Sequence, residues 1–186
     1  MNDTLYVHYL EHAPFSTTEN AAPKGLEIDI VNDYILWQKT TKKLNFTPKY
    51  VAFTDPDLFY ASVKNSPHNT IGLGAITIVP EKAKEVEFTT AYLKNVAFCI
   101  SNGNATDIKA KTQPEIMKTF GSMTALTVTN TTLNKYVNEL KKSYLPELKL
   151  IAQPNGTKIL DEIARNILYF GYVDAITFWF YVKNNP

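Results

Sequence analysis

The chain has 186 residues, of which 45% are apolar and 20% are charged, and 19 lysine and arginine residues nearly balance 18 aspartate and glutamate residues. This length and apolar content are sufficient to bury a core, in one domain or in two small lobes. The net charge of +1 gives no global field that would attract nucleic acid or an anionic membrane, so neither is an expected partner.

The first half of the chain alternates strand patterns with helix patterns. Strand patterns are short runs of β-branched and aromatic residues, and helix patterns repeat apolar residues at helical spacing. A polar loop at 11–24 separates the first two elements, and Asp29 is the expected N-cap of the first helix. We predict strands at 4–10, 46–53 and 71–76 and helices at 29–43 and 57–64. This alternation predicts βαβ units and a mostly parallel sheet.

The segment 74–89 begins as an apolar run and changes character at Pro80. We predict that a buried strand ends in a polar turn that contains Thr77 and Lys82, and that another strand follows near 86–88. A buried strand that ends in polar groups raises the question of what those groups face.

The second half continues with a predicted strand at 92–100 and a loop of turn-forming residues at 101–106. We place lobe 1 at residues 1–93 and lobe 2 at residues 94–186, with a hinge strand near 90–100. Within lobe 2 we predict helices at 114–120, 131–143 and 158–169 and strands at 125–128, 148–152 and 173–177. Both lobes are therefore expected to be α/β.

No motif of a known catalytic chemistry is present. The three histidines, His8, His12 and His68, have no metal-ligand spacing, and the seven glycines form no nucleotide-binding fingerprint. The only cysteine, Cys99, lies in an apolar run, which is typical of a core residue. We therefore expect no metal, no cofactor and no enzymatic activity, and an unrelated α/β enzyme is the least favoured alternative.

The start of the predicted helix at 131–143 is a candidate anion site. Asn130 and Thr131 lie where an N-cap belongs, so backbone amides of the first turn point outward. An ordinary cap without a ligand is the commoner arrangement, and this pattern alone does not separate the two interpretations.

The order of the elements and several short segments resemble one family over nearly the whole chain. The segments are Ala13-Pro14-Phe15-Ser16, the 25–30 entry to the first helix, the 74–89 segment, 128–132 and Gly171-Tyr172-Val173-Asp174-Ala175. The chain resembles the periplasmic solute-binding proteins of family 3, the polar amino-acid class of two-lobed receptors that supply ABC importers. The resemblance implies an α/β, two-lobed, type 2 periplasmic-binding fold, with a small molecule in the cleft between the lobes.

The resemblance also implies which residues contact the ligand. Ala75 and Thr77 correspond to positions that offer backbone and hydroxyl groups, Lys82 lies where the family has an arginine that clamps a carboxylate, and His12 lies where an aromatic residue covers the ligand. The resemblance therefore implies that the polar cluster after the buried strand faces the cleft. The full set of expected ligand-contacting residues is His12, Phe53, Ala75, Thr77, Lys82, Asn130, Thr131, Thr132, Phe178 and Trp179.

Four of these positions depart from the family pattern, and His12, in the place of the covering aromatic residue, is one of them. Lys82 attracts a carboxylate as a point charge but lacks the two-pronged geometry of arginine, and Arg165, the only arginine, lies in a predicted lobe 2 helix. Trp179 stands where the family has an aspartate that pairs with a ligand ammonium, and Asn130 replaces a glycine. A plain α-amino acid is therefore not the favoured ligand.

Lys82, Phe178 and Trp179 carry specific structural expectations. We expect the Lys82 ammonium to face the cleft and to supply its main positive charge. If the segment that contains Phe178 and Trp179 is extended, the two side chains point to opposite faces, and one belongs to the core while the other belongs to the pocket.

The leading interpretation is a monomeric, extracytoplasmic binding protein that closes by hinge motion around a small polar, carboxylate-bearing or amino-acid-like solute and delivers it to an ABC transporter permease. The alternative is a ligand-sensing or regulatory domain of a larger membrane protein, such as a receptor kinase or a cell-wall lytic enzyme, with altered or lost ligand binding.

The two ends of the chain also depart from the family. No apolar run is long enough to cross a bilayer, and the first residues lack the pattern of a signal peptide, so we expect that a signal peptide has been removed. Family members return from lobe 2 to lobe 1 with a last strand and helices, which this sequence lacks. A shortened relative and a piece of a longer chain both fit this observation.

Overall fold

A computed structural model describes residues 2–94, 96–105 and 112–186. The chain divides into two compact units, Met1–Leu93 and Lys94–Pro186. The predicted strand at 92–100 and the predicted loop at 101–106 each contain one residue outside the described ranges. Within those ranges, no helix is long and apolar enough to cross a membrane.

The first unit is a small α/β domain built on a parallel sheet. Its elements are β1 (Asn2–Leu10), β2 (Thr17–Glu19), β3 (Ala22–Lys24), α1 (Leu26–Trp37), a π-helical turn (Gln38–Lys42), β4 (Asn45–Phe53), α2 (Pro56–Lys64), β5 (Thr70–Leu73) and a short 3₁₀ helix (Lys82–Lys84). The strand order is β4-β1-β5, with both pairings parallel, and β2 and β3 form a separate antiparallel hairpin.

The core of this unit lies between the sheet and α1. Alternate residues of the central strand β1 face it, and α1 covers them with one apolar face, as the pleat and the helical period require. The buried members of this core are Leu5, Val7, Tyr9, Ile28, Val31 and Leu73.

Helix α1 begins before the predicted N-cap Asp29. The carbonyls of Pro14 and Phe15 accept hydrogen bonds from the first two amides of α1, at 3.1 Å and 2.9 Å, so a distant loop caps the helix. Gly25 precedes the helix with φ +121°, and a Cβ there would lie 2.5 Å from the Phe15 carbonyl oxygen. The local sequence does not predict this helix start, because the capping groups come from residues 14–15, which lie about ten residues earlier in the chain.

Strand β5 is shorter than the predicted strand at 71–76. Its pairing with β1 ends at Leu73, and Ala75 adopts φ +49°, which no strand residue has. The prediction of a strand near 86–88 is wrong, because that segment is irregular and follows the 3₁₀ helix.

The second unit has a four-stranded mixed sheet in the order β6-β9-β7-β8. Its elements are β6 (Ala97–Ser101), α3 (Gln113–Phe120), β7 (Thr124–Thr127), α4 (Thr132–Ser143), β8 (Lys149–Ala152), α5 (Gly156–Arg165), β9 (Tyr169–Asp174) and α6 (Ala175–Asn184). Strands β7, β8 and β9 are parallel, and β6 runs antiparallel to β9.

The last elements differ from the prediction. The helix expected at 158–169 ends at Arg165, and the strand expected at 173–177 lies at Tyr169–Asp174, because this segment inserts between β6 and β7. Phe170 and Val173 are fully buried there. Residues from Ala175 onward are helical. An apolar segment of this length fits a strand or a buried helix, and tertiary pairing decides between them.

Cys99 is a partly buried member of the second unit's core. It lies on β6 and packs against the cluster that contains Phe120 and Phe170. Burial raises the pKa of its thiol to about 11, although a hydrogen bond with Tyr172 opposes the shift. This environment agrees with the interpretation of Cys99 as a packing residue.

We expect Cys99 to react about a hundredfold more slowly with iodoacetamide than an exposed cysteine does near pH 8, since only the thiolate is the nucleophile. The reaction is measured by mass spectrometry on the folded protein, and the same chain unfolded in urea is the control. Equal rates in the two states would contradict the described environment.

Candidate functional site

The carboxyl ends of the first unit's strands lie at one edge of its sheet. Leu10, the last residue of β1, pairs with Phe53, the last residue of β4, and Tyr9 pairs with Leu73, the last residue of β5. Three expected ligand-contacting residues lie at or just beyond these ends: His12, Phe53 and Ala75. Ligands of open α/β sheets bind at this kind of edge.

His12 and Phe53 both lie in partly buried aromatic surroundings. The His12 amide donates to the Ser16 carbonyl at 2.7 Å, and its ring centroid lies 5.2 Å from that of Phe15. The Phe53 ring lies 5.5 Å from His8 and contacts Phe59 edge-on. The His12 ring therefore contacts Phe15 in the turn after β1, and the Phe53 ring contacts His8 of β1 and Phe59 of α2.

Ala75 follows β5 in a left-handed conformation with φ +49°. Its amide donates to both carboxylate oxygens of Glu27, at 3.1 Å each. The resemblance implied that Ala75 offers backbone groups to a ligand, and in this structure its amide is engaged within the protein. Thr77, two residues further on, is exposed.

Glu27 is a buried carboxylate in the first turn of α1. Its exposed fraction is 6%, and it accepts a hydrogen bond from the Tyr92 hydroxyl at 2.8 Å in addition to the Ala75 amide. Burial raises the pKa of Glu27, and the hydrogen bonds from Tyr92 and Ala75 oppose that shift. The position near the helix amino terminus also favours a negative charge.

The sequence prediction missed Glu27, although a signal for it exists. Glu27, Val31 and Ile35 recur at intervals of four, so they share one face of α1, and Val31 and Ile35 pack in the core. A charged residue on an apolar helical face indicates a buried carboxylate with partners.

Lys82 opens the short 3₁₀ helix and is partly buried. Its ammonium lies 5.3 Å from the centre of the Tyr60 ring, a cation–π distance. Lys64, on the same helix as Tyr60, forms a 3.2 Å ion pair with Glu85. These contacts fix Lys82 against α2, and its orientation toward a ligand stays a prediction.

In the second unit, Thr131 is the N-cap of α4. Its hydroxyl accepts a hydrogen bond from the Asn134 amide at 3.1 Å and donates to the Val128 carbonyl at 2.7 Å. Asn130 is exposed with φ +59°, a conformation that asparagine tolerates better than most residues, and Thr132 begins the helix. The expected helix start is therefore present.

Phe178 and Trp179 do not lie on an extended segment, so the condition for placing them on opposite faces is not met. Both lie on α6, where successive side chains are about 100° apart rather than on opposite faces. Phe178 packs against the buried cluster of Ile159 and Val173, whereas Trp179 is 60% exposed and meets Phe98 edge-on. Phe178 is thus a packing residue, and Trp179 presents an aromatic surface.

Among the described residues, neither a metal cluster nor a histidine-activated serine is found at the contact between His8 and Ser62. No group of three metal-ligating side chains occurs among them. His8 Nδ1 lies 3.0 Å from the Ser62 hydroxyl, but that hydroxyl donates to the Phe59 carbonyl at 2.7 Å, so the ring nitrogen is the donor to it. His8 is therefore not placed as a base for Ser62.

We expect the free energy of unfolding of the wild type, relative to that of Glu27→Gln, to fall as pH rises above the ordinary pKa of a glutamate. The raised pKa means that folding favours the protonated form, so this contribution is fully present below the ordinary pKa and is lost above the raised one. Urea titrations measure it, and Asp29→Asn, at an exposed position of the same helical turn, gives the baseline. An opposite slope would refute the shift.

We expect Phe178→Ala to lower the free energy of unfolding by about 2–3 kcal/mol and Trp179→Ala by about 1 kcal/mol or less. The first removes packing against a buried cluster, and the second removes mainly one edge-on ring contact. Urea denaturation of the two variants measures the difference, and equal losses would contradict the assigned roles.

Comparison with solved structures identifies the same fold in binding proteins. The ancestral arginine-binding protein bound to arginine has 19% identity and a TM-score of 0.74, with 100% of this chain and 76% of that chain covered. A structure from work on glutathione import through GshT and the cystine importer TcyBC of Streptococcus mutans has 14% identity and a TM-score of 0.80, over 100% and 73% of the two chains.

A third solved structure connects this fold to an enzyme lineage. The ancestral amino acid-binding protein AncCDT-1, described as a precursor of cyclohexadienyl dehydratase, has 21% identity and a TM-score of 0.73, with 98% of this chain and 74% of that chain covered. These likenesses confirm the α/β fold class of two-lobed periplasmic binding proteins. Comparison with curated protein sequences gave no match.

The sequence match is more specific than the structural likeness. The family described as bacterial extracellular solute-binding proteins, family 3, matches residues 6–146, which is most of the chain. That range runs from within β1 through α4 and therefore includes both the first unit's strand edge and the α4 start. The chain belongs to the bacterial extracellular solute-binding proteins of family 3.

Proposed function

We propose that this chain is a non-catalytic, extracytoplasmic binding protein that takes up a small polar, carboxylate-bearing solute for delivery to an ABC importer. The observation that carries the proposal is the family match over residues 6–146, which includes the edge where β1, β4 and β5 end together. His12, Phe53 and Ala75 are at this edge and are the proposed first-unit contacts of the solute.

The charges of the expected contact residues support a carboxylate as one feature of the solute. Lys82 follows Thr77 in the segment after β5 and supplies an ammonium, and in the second unit the first amides of α4 carry a partial positive charge. Lysine acts as a point charge without the fixed fork of arginine, so the carboxylate is attracted but not held in one plane.

The exposed Trp179 makes a free ammonium an unfavourable second feature of the solute. An indole supplies no charge, so an ammonium that depends on this position is desolvated without a full ionic partner, at a cost of about 1–3 kcal/mol. Ordinary amino acids are therefore expected to bind more weakly than carboxylates without an amino group. The aromatic surface of Trp179 suits an apolar part of the solute, or a cationic part that stacks on the ring without an ionic partner.

A second candidate function is ligand sensing within a larger membrane protein, with altered or lost ligand binding. The observation that favours it is the same departure at Trp179, which removes a charge from the expected ligand contacts. Failure of every solute probe to bind the folded chain would favour this alternative over transport.

Isothermal titration calorimetry with succinate, L-arginine, L-glutamine and glutathione tests the proposal. We expect succinate to bind more tightly than L-glutamine, and Lys82→Ala to weaken succinate binding by about tenfold, the loss of one charge-assisted contact. Lys84→Ala removes a lysine from the same short helix and is the matched control, for which the affinity stays unchanged.

Thermal unfolding of both lysine variants checks that the loss of affinity is not a loss of fold, since Lys82 also contacts Tyr60. Submicromolar binding of L-glutamine that survives Lys82→Ala would show that both charge assignments are wrong.

A further inference from the structure

Glu27 joins three separate parts of the first unit through one carboxylate. It lies in the first turn of α1, accepts the Ala75 amide on both oxygens at 3.1 Å, and accepts the Tyr92 hydroxyl at 2.8 Å. Ala75 follows β5 and Tyr92 lies near the end of the unit, 65 residues from Glu27 in sequence. A single buried group thus determines where these segments meet.

The segment after β5 is held at two adjacent residues. Gly74 is buried, and a Cβ at this position would lie 2.9 Å from the Phe59 ring, so the backbone there is pressed against α2. Ala75 is in the left-handed region, which a residue with a Cβ adopts only when its surroundings enforce it. The contact with Glu27 supplies that enforcement.

The contact uses both oxygens of the carboxylate as acceptors. Oε1 accepts from the Ala75 N–H and from the Tyr92 hydroxyl, and Oε2 accepts from the Ala75 N–H alone. A glutamine side chain of the same shape that keeps its carbonyl in the Oε1 position would place its NH₂ donor against the Ala75 N–H. The site therefore distinguishes a carboxylate from its isosteric amide.

We propose that Glu27 is a positioning residue for solute binding: it fixes the backbone at Ala75 and so sets the direction of the segment that carries Thr77. This inference rests on the proposed function, because it gives Glu27 a role in the affinity for a solute. Glu27 acts through Ala75, since its own carboxylate is buried and is occupied by donors of the protein.

The test compares the wild type with Glu27→Gln, Tyr92→Phe and the control Asp29→Asn. Amide hydrogen exchange by NMR measures the exchange rate of the Ala75 N–H directly. Calorimetry with succinate and L-glutamine measures the affinity for each probe. We expect Glu27→Gln to speed Ala75 exchange by at least about tenfold while the Val7 amide in β1 keeps its rate, and to weaken probe binding by about tenfold.

The second variant separates positioning from general instability. Tyr92→Phe leaves the Ala75 contact with Glu27 in place, so its Ala75 exchange is expected to stay closer to the wild type than that of Glu27→Gln. Asp29→Asn removes an exposed charge from the same helical turn and is expected to change neither readout.

The outcomes distinguish this inference from the proposed function. Wild-type binding of a probe that Glu27→Gln leaves unchanged, or an unaltered Ala75 exchange rate, overturns the role of Glu27. If the wild type binds neither succinate nor L-glutamine, the proposed function fails and the solute role of Glu27 fails with it. In that case accelerated Ala75 exchange still shows that Glu27 holds the segment.

Discussion

The organisation of the first unit depends on a carboxylate that has been removed from water. Burying an ionised group is costly unless hydrogen bonds and nearby positive charge compensate. Glu27 receives the Ala75 amide, the Tyr92 hydroxyl and the partial positive charge of the α1 amino terminus. Because the donors come from segments far apart in sequence, the interaction defines how α1, the end of β5 and the end of the unit are arranged.

The parallel sheet supplies a second constraint, which acts on the position of the candidate residues. Parallel strands start and end at common edges, so residues that follow different strands are brought together without any local sequence signal. In the first unit this edge holds His12, Phe53 and Ala75. In the second unit β7 and β9 are parallel neighbours, and α4 and α6 follow their carboxyl ends.

The family and the structural likeness establish different things. The match over residues 6–146 places the chain among extracellular solute-binding proteins, whereas structures at 14–21% identity establish the shared fold. The ligand class follows from neither and depends on local chemistry, chiefly a lysine held against a tyrosine ring and an exposed tryptophan. The proposed preference for a carboxylate without an amino group is an argument from those two side chains.

The sequence by itself determined the elements that local chemistry encodes. Helix α2 starts within one residue of its prediction because Asp55 caps it and Pro56 follows, and α4 starts after its own cap, Thr131. Strand β4 lies within one residue of its prediction because exposed and partly buried residues alternate along most of it. The family was also recognisable, since the order of short segments survives where individual residues change.

Only the tertiary structure decided the rest. Helix α1 starts early because carbonyls of the 14–15 turn cap it, and β5 ends early because the chain leaves the extended conformation by Ala75. The segment from Tyr169 is a strand because β6 and β7 flank it. For Glu27, the helical spacing with Val31 and Ile35 indicates a buried carboxylate, but only the tertiary structure supplies its donors, Ala75 and Tyr92. Hydrogen bonds between residues distant in sequence leave no local pattern, so these partners follow from folding.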